Sequence, residues 1–162
     1  MTTHTINLTS PNTTIDINSV AGGPYNFDIN AVPSSNQSGF GPHTDDHAAG
    51  ETITVMQLVE LRSDGAWYLA DADATGEANG LLGIAIGSGA AGEYISVALP
   101  NSFVRDDSWS WTVGAAIYVS TTPGSLTQVP STNTDDVVRI IGWSTHANRL
   151  FFFPQTSILV HA

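Results

Sequence analysis

The chain contains no cysteine among its 162 residues, which excludes disulfide bonds and thiolate metal sites. It also contains no lysine, so four arginines are its only strong bases against 15 acidic residues. The net charge of −11 disfavours nucleic acid and anionic membrane surfaces, because proteins bind both mainly through basic residues. We therefore expect neither a nucleic-acid partner nor a membrane partner.

Long apolar runs are missing too: no stretch of about 18 or more apolar residues could span a membrane. The first residues, MTTHTINLTS, lack the basic and apolar segments of a signal peptide, so we expect synthesis in a cytoplasm. The length fits one domain, or one domain with an arm. A hydrophobic fraction of 41% is enough for a core.

Residues 1–50 are rich in Thr, Ser, Asn, Gly and Pro, a composition that favours extended or irregular backbone. We predict an extended N-terminal arm here, followed by a folded domain over residues 51–162. The arm is either a loosely attached tail or a segment that adds strands to a neighbouring chain. Short apolar–polar–apolar triplets supply its candidate contacts with a neighbouring chain: Ile6, Leu8, Ile15, Ile17, Phe27 and Ile29.

From residue 51 onward, short apolar segments recur about every 10–15 residues, with glycine or proline turns between them. This spacing is typical of a β-sandwich or barrel, and no amphipathic helix of useful length follows residue 62. One strand is expected within 51–62, and residues 101–113 are interpreted as a linker. The predicted fold class is all-β, a small sandwich or barrel.

A three-stranded unit is used twice, over residues 65–100 and 114–154. In this alignment Tyr68 corresponds to Tyr118, and the segment LLGIA corresponds to IIGWS. The three consecutive phenylalanines 151–153 predict a strand buried on both faces, in the core or where subunits meet. These two pseudo-repeats form the predicted body of the domain.

Two histidines four residues apart, His43 and His47, enclose Asp45 and could bind a divalent metal on a helix. Glycines on both sides favour a loop instead, and a closed metal site needs about four well-placed ligands. We therefore expect a solvated hinge without a metal.

Trp109 and Trp111 are the best ligand candidates, since alternate residues of a strand point the same way. Two coplanar indoles beside carboxylates could stack on a sugar. Packing in the core or at a protein interface is the alternative. No nucleophile elbow or phosphate-binding loop is present, so we assign no catalytic residue and expect neither enzymatic activity nor a cofactor.

The segment GAAIYVSTTPGSLTQVP, followed by VVRIIGW and LFFFP, resembles the C-terminal parts of small tailed-bacteriophage virion proteins. These are capsid decoration or cement proteins and head-fibre proteins. The resemblance implies a homotrimer on the outer capsid surface of the virion, with the major capsid protein as its partner. It also allows an alternative function, a sugar- or receptor-binding module of a head fibre or tail.

Overall fold

The computed structural model describes residues 4–6, 15–17, 33–73 and 78–160, and none of these is helical. The all-β prediction is therefore confirmed for the described chain. No helix suited to crossing a membrane occurs in this part of the chain. The chain divides into two compact units, Met1–Asn30 and Ala31–Ala162.

The first unit contains an antiparallel pair of strands, β1 (His4–Ile6) and β2 (Ile15–Ile17). The second unit contains the remaining strands. They are β3 (Ser38–Phe40), β4 (His43–Thr44), β5 (Leu58–Leu61), β6 (Trp67–Leu69), β7 (Leu81–Ala85), β8 (Val97–Ala98), β9 (Ser102–Arg105), β10 (Ala116–Val119), β11 (Leu126–Thr127), β12 (Val137–Val138), β13 (Ile140–His146), β14 (Arg149–Phe152) and β15 (Leu159–Val160).

Two larger antiparallel sheets build the second unit. One has five strands in the order β4-β8-β7-β5-β6, and the other has six in the order β11-β10-β13-β14-β9-β3. Strands β12 and β15 form a separate two-stranded ribbon. Without β3, the two sheets have the same strand order. Strands β4, β5, β6, β7 and β8 of one sheet correspond, in that order, to β9, β10, β11, β13 and β14 of the other. The chain thus contains an internal repeat of five strands.

The structure changes the extent of the predicted repeat. Strand β6, which contains Tyr68, pairs only with β5. Strand β10, which contains Tyr118, pairs with both β11 and β13. The topological counterpart of β10 is therefore β5, and the predicted equivalence of Tyr68 with Tyr118 is wrong by one strand. The equivalence of β7 with β13 agrees with the sheet order.

Three predicted boundaries also change. The expected strand within 51–62 is ordered as a strand only over Leu58–Leu61, because Met56 has a positive φ of 69° that interrupts the extended backbone. The predicted linker over 101–113 contains β9. The body begins before residue 51, since β3 pairs with β9 and β4 pairs with β8.

The inner faces of the two sheets meet in one hydrophobic core, which makes the fold a sandwich. Each large apolar side chain buried here stabilises the fold by about 1.5–3 kcal/mol relative to exposure. The core joins residues of both sheets: Leu58, Leu82, Ile84 and Ala98 from one, and Val104, Ile117, Val119, Ile141, Leu150 and Phe152 from the other.

The outer face of the five-stranded sheet is also buried. Val59, Trp67 and Val97 lie on this face, and Ala49 and Ile53 pack over them from the segment before β5. Further cover comes from the long connection between β7 and β8, which contributes Ile95. This sheet therefore has apolar packing on both faces, as expected for its almost continuously apolar strands.

The Pro-Gly turn at 122–124 belongs to the second repeat and hydrogen-bonds to the backbone of the first. Gly124 accepts a hydrogen bond from the Leu58 N–H at 2.8 Å and donates one to the Ala70 carbonyl at 2.9 Å. Its φ of 72° lies in the left-handed region, and a methyl group there would come 2.8 Å from Leu69 Cδ2. Glycine is therefore required for the turn to enter between the strands.

Candidate functional site

The outer face of the six-stranded sheet carries a row of aromatic side chains. In β9 and β14 buried and half-buried residues alternate, so Phe103 and Phe151 point away from the core. Cross-strand pairing sets Phe40 opposite Phe103, Phe103 opposite Phe151, and Phe151 opposite Trp143. Directly paired residues share a face, so one aromatic row crosses four adjacent strands. We call this row, together with Phe153, the aromatic face.

Ring contacts hold the aromatic face together. The ring centroids of Phe103 and Phe151 lie 4.9 Å apart, and those of Phe151 and Phe153 lie 5.9 Å apart with nearly parallel planes. Phe40 and Phe153 are 41% and 40% exposed. Of the three phenylalanines predicted to be buried, only Phe152 lies in the core. The other two belong to this surface.

Charged groups of both signs border the aromatic face. Arg105 and Arg149 pair across β9 and β14, two residues from Phe103 and Phe151. Arg105 donates to both carboxylate oxygens of Asp107, at 2.7 and 3.1 Å. The hydrogen bond from Arg105 lowers the pKa of Asp107, to which Asn148 also donates. Arg105 and Asp107 therefore form an ion pair at the edge of the aromatic face.

Trp109 and Trp111 are tilted relative to each other and are not the coplanar pair of a flat sugar platform. They lie after β9 in irregular backbone, their ring planes differ by 48°, and both pack against the inter-sheet core. The indole nitrogen of Trp111 is buried without a hydrogen-bond partner. The arrangement matches the packing alternative more closely than two coplanar stacking rings.

The histidine segment is spread over a strand and a loop. His43 lies in β4, and His47 contacts the Gly65 carbonyl oxygen at 3.0 Å and the Trp67 ring edge-on. No group of three or more His, Asp or Glu side chains within the described residues could hold a metal ion.

The predicted arm contacts fall in the first unit. Ile6, Ile15 and Ile17 lie on β1 and β2, and the backbone pairing sets Ile6 opposite Ile15. Leu8, Phe27 and Ile29 lie outside the described residues.

A polar pocket of about 220 Å³ lies beside the end of β10. Its lining includes the hydroxyl-bearing residues Ser120, Thr121 and Ser131. Ser131 also hydrogen-bonds to the buried Asp136 carboxylate, so that acid already has a structural partner. We assign no chemistry to this pocket.

The aromatic face is not predicted from the sequence, because the residues of β9 lie in a segment interpreted as a linker. The available signal was the alternation of Phe103 and Arg105 with buried Ser102 and Val104, which matches the alternation in β14. A comparison with family models, curated proteins and solved structures finds no match to this chain.

Proposed function

We propose that this protein is a structural virion protein that binds the outer surface of a phage capsid and stabilises it by non-covalent contacts. The proposal includes a homotrimer, the major capsid protein as partner, and no enzymatic activity or cofactor. It combines the resemblance of about residues 50–160 to small tailed-bacteriophage virion proteins with one structural observation. The chain separates a small unit, Met1–Asn30, from a compact β-sandwich.

This division supports the proposal because a capsid-stabilising protein needs a durable body and a separate segment for attachment. All six apolar arm residues predicted as contacts belong to the first unit. Pairs of apolar side chains at alternate positions suit strand addition to a neighbouring protein, in which main-chain hydrogen bonds supply affinity. The acidic composition keeps the protein soluble and reduces non-specific binding to nucleic acid.

The test is co-sedimentation of the full-length protein with purified capsids that lack outer proteins. We expect saturable binding and a higher disruption temperature of the particles. The double substitution Ile15→Asp with Ile17→Asp should weaken binding at least about tenfold, since each change replaces an apolar contact with a charge. Thr14→Asp is the matched control, because it adds a charge to the same segment at a polar position.

Absence of binding, together with unchanged heat stability of the capsids, would overturn the proposal. Equal weakening by Thr14→Asp and by the double substitution would show a charge effect and not an apolar contact.

The alternative, a sugar- or receptor-binding module, depends on Trp109 and Trp111. Their tilted and partly buried rings support it less than two exposed coplanar rings would. A glycan array is the direct test. Specific binding that is lost in Trp109→Ala, with the fold retained, would favour the alternative.

A further inference from the structure

Among the residues of the second unit that the structure describes, only one of the two equivalent sheets has a covered outer face. In the five-stranded sheet, β7 and β8 are joined by residues 86–96. Ile95 of this connection packs over the outer face of the strands. The corresponding connection between β13 and β14 is only Ala147 and Asn148. The six-stranded sheet therefore lacks the equivalent cover, and its outer side carries the aromatic face.

The composition of this surface is typical of a protein–protein contact. Phe, Trp and Arg are enriched where proteins bind each other, and a contiguous exposed apolar patch rimmed by polar groups marks such sites. Phe40, Phe103, Phe151 and Trp143 form a continuous row, and Phe153 extends it along β14.

The charges at the rim indicate which partner fits. The whole chain carries −11, so most of its surface repels another copy. The rim of the aromatic face has two of the four arginines, Arg105 and Arg149, beside one acid, Asp107. The Asp107 side chain is 43% exposed, and a surface that presents both signs can complement itself. The two arginines outnumber the one acid at this rim, which offsets the repulsion between two acidic copies at this face.

We propose that the aromatic face is where copies of this chain contact one another. The partner is another copy of the chain. The aromatic faces of neighbouring copies pack together, with Arg149 of one copy near Asp107 of the next, an arrangement that a cyclic trimer allows. This contact supplies the apolar cover that the six-stranded sheet lacks. The inference does not depend on capsid binding, because it is measured on the protein alone.

The test is sedimentation equilibrium of the full-length protein over a wide concentration range. We expect a wild-type oligomer, and we expect Phe153→Ser and Phe40→Ser each to raise its dissociation constant by about 10–100-fold. Both side chains are about 40% exposed, so the variants should still fold, and circular dichroism checks this. Tyr94→Ser is the matched control, because Tyr94 is an aromatic residue, 72% exposed, outside the face.

A wild-type protein that is monomeric at the highest concentration would overturn the inference. So would an oligomer that both face variants leave intact or that Tyr94→Ser weakens equally. If the protein is monomeric but Phe153→Ser reduces capsid binding, the face binds a different protein and the self-contact is wrong.

Discussion

Glu60 and Arg139 both hydrogen-bond to the backbone of residues 78–80. The Glu60 carboxylate accepts hydrogen bonds from the N–H groups of Ala78 and Gly80. The Arg139 guanidinium donates to the carbonyl oxygens of the same two residues. Glu60 belongs to the first repeat and Arg139 to the second, so this buried polar cluster connects the two sheets at residues 78–80.

Arg139→Met should lower the free energy of unfolding by about 3–5 kcal/mol, because it removes the buried donor to the carbonyl oxygens of Ala78, Gly80 and Gln155 and the positive charge near Glu60. Burial lowers the pKa of Arg139 and the charge of Glu60 opposes that effect, which indicates that the two groups interact electrostatically. Denaturant titration measures the loss. As a control, Arg105→Met removes a partly exposed ion pair with Asp107 and should cost about 1 kcal/mol or less. Equal losses would contradict a special role for the buried cluster.

Gly142→Ala should be among the most destabilising small substitutions in the chain. An added methyl group would overlap the carbonyl oxygen of Phe151 and lie 2.8 Å from Leu150 Cδ1. Because β13 and β14 pair here, the strands would have to separate, at a cost of about 3 kcal/mol or more. Thermal and denaturant unfolding measure it.

Gly92→Ala is the matched control for that substitution. Gly92 has a φ of 87° but open space around its Cα, so only backbone strain applies, about 1–2 kcal/mol. If the two variants lose equal stability, the close approach of β13 and β14 does not explain the glycine.

Local signals in the sequence predicted the all-β class and several turns. Glycine and proline turns, such as the Pro-Gly turn at 122–124, were visible because special backbone conformations restrict the residue type. The order of strands in the sheets could not be predicted from the sequence. Strand β7 pairs with β5 and not with its neighbour in the chain, β6, and this choice depends on contacts between distant residues. The alternation of apolar residues shows which face of a strand is buried but does not show which strand pairs with it.

The functional surface was harder to predict than the fold. The run of three phenylalanines predicts that Phe151 is buried. Only its pairing with Phe103 shows that its side chain lies on the outer face of the sheet. Glu60 lies in an apolar segment, and nothing local indicates that Arg139 holds the other side of the segment it binds. In the same way, Trp109 and Trp111 resemble a ligand platform in sequence, but the irregular backbone after β9 tilts their rings.

The two substitutions Trp111→Phe and Trp111→Ala should have clearly different effects. Phenylalanine keeps most of the packing against the core and removes a buried indole N–H that has no hydrogen-bond partner, so the cost should be about 1 kcal/mol or less. Alanine also removes the ring and should cost about 3 kcal/mol. Denaturant unfolding separates the two. A loss with phenylalanine as large as that with alanine would show that the indole N–H has a structural partner.

Tyr68 and Asp64 make a pH-dependent contact at the turn after β5. The Tyr68 hydroxyl donates to Asp64 at 2.8 Å, which raises the pKa of Tyr68 above its ordinary value of 10.0. Asp64→Asn removes the negative charge and the strongest acceptor, so the pKa of Tyr68 should fall toward its ordinary value. NMR titration of the tyrosine ring measures this. Asp135→Asn, at an exposed aspartate of the second repeat, is the control and should leave the Tyr68 titration unchanged.

The same pair predicts how stability responds to acid. The hydrogen bonds from the Ala66 N–H and from Tyr68 lower the pKa of Asp64 below its ordinary value of 3.8. A carboxyl whose pKa is lower in the folded state stabilises the protein above its unfolded pKa, and that stabilisation disappears as the pH falls through the folded pKa. Unfolding midpoints measured from about pH 5 downward should therefore fall less steeply in Asp64→Asn than in the wild type below about pH 4. Parallel curves for the two proteins would show that the Asp64 contact contributes nothing to folding.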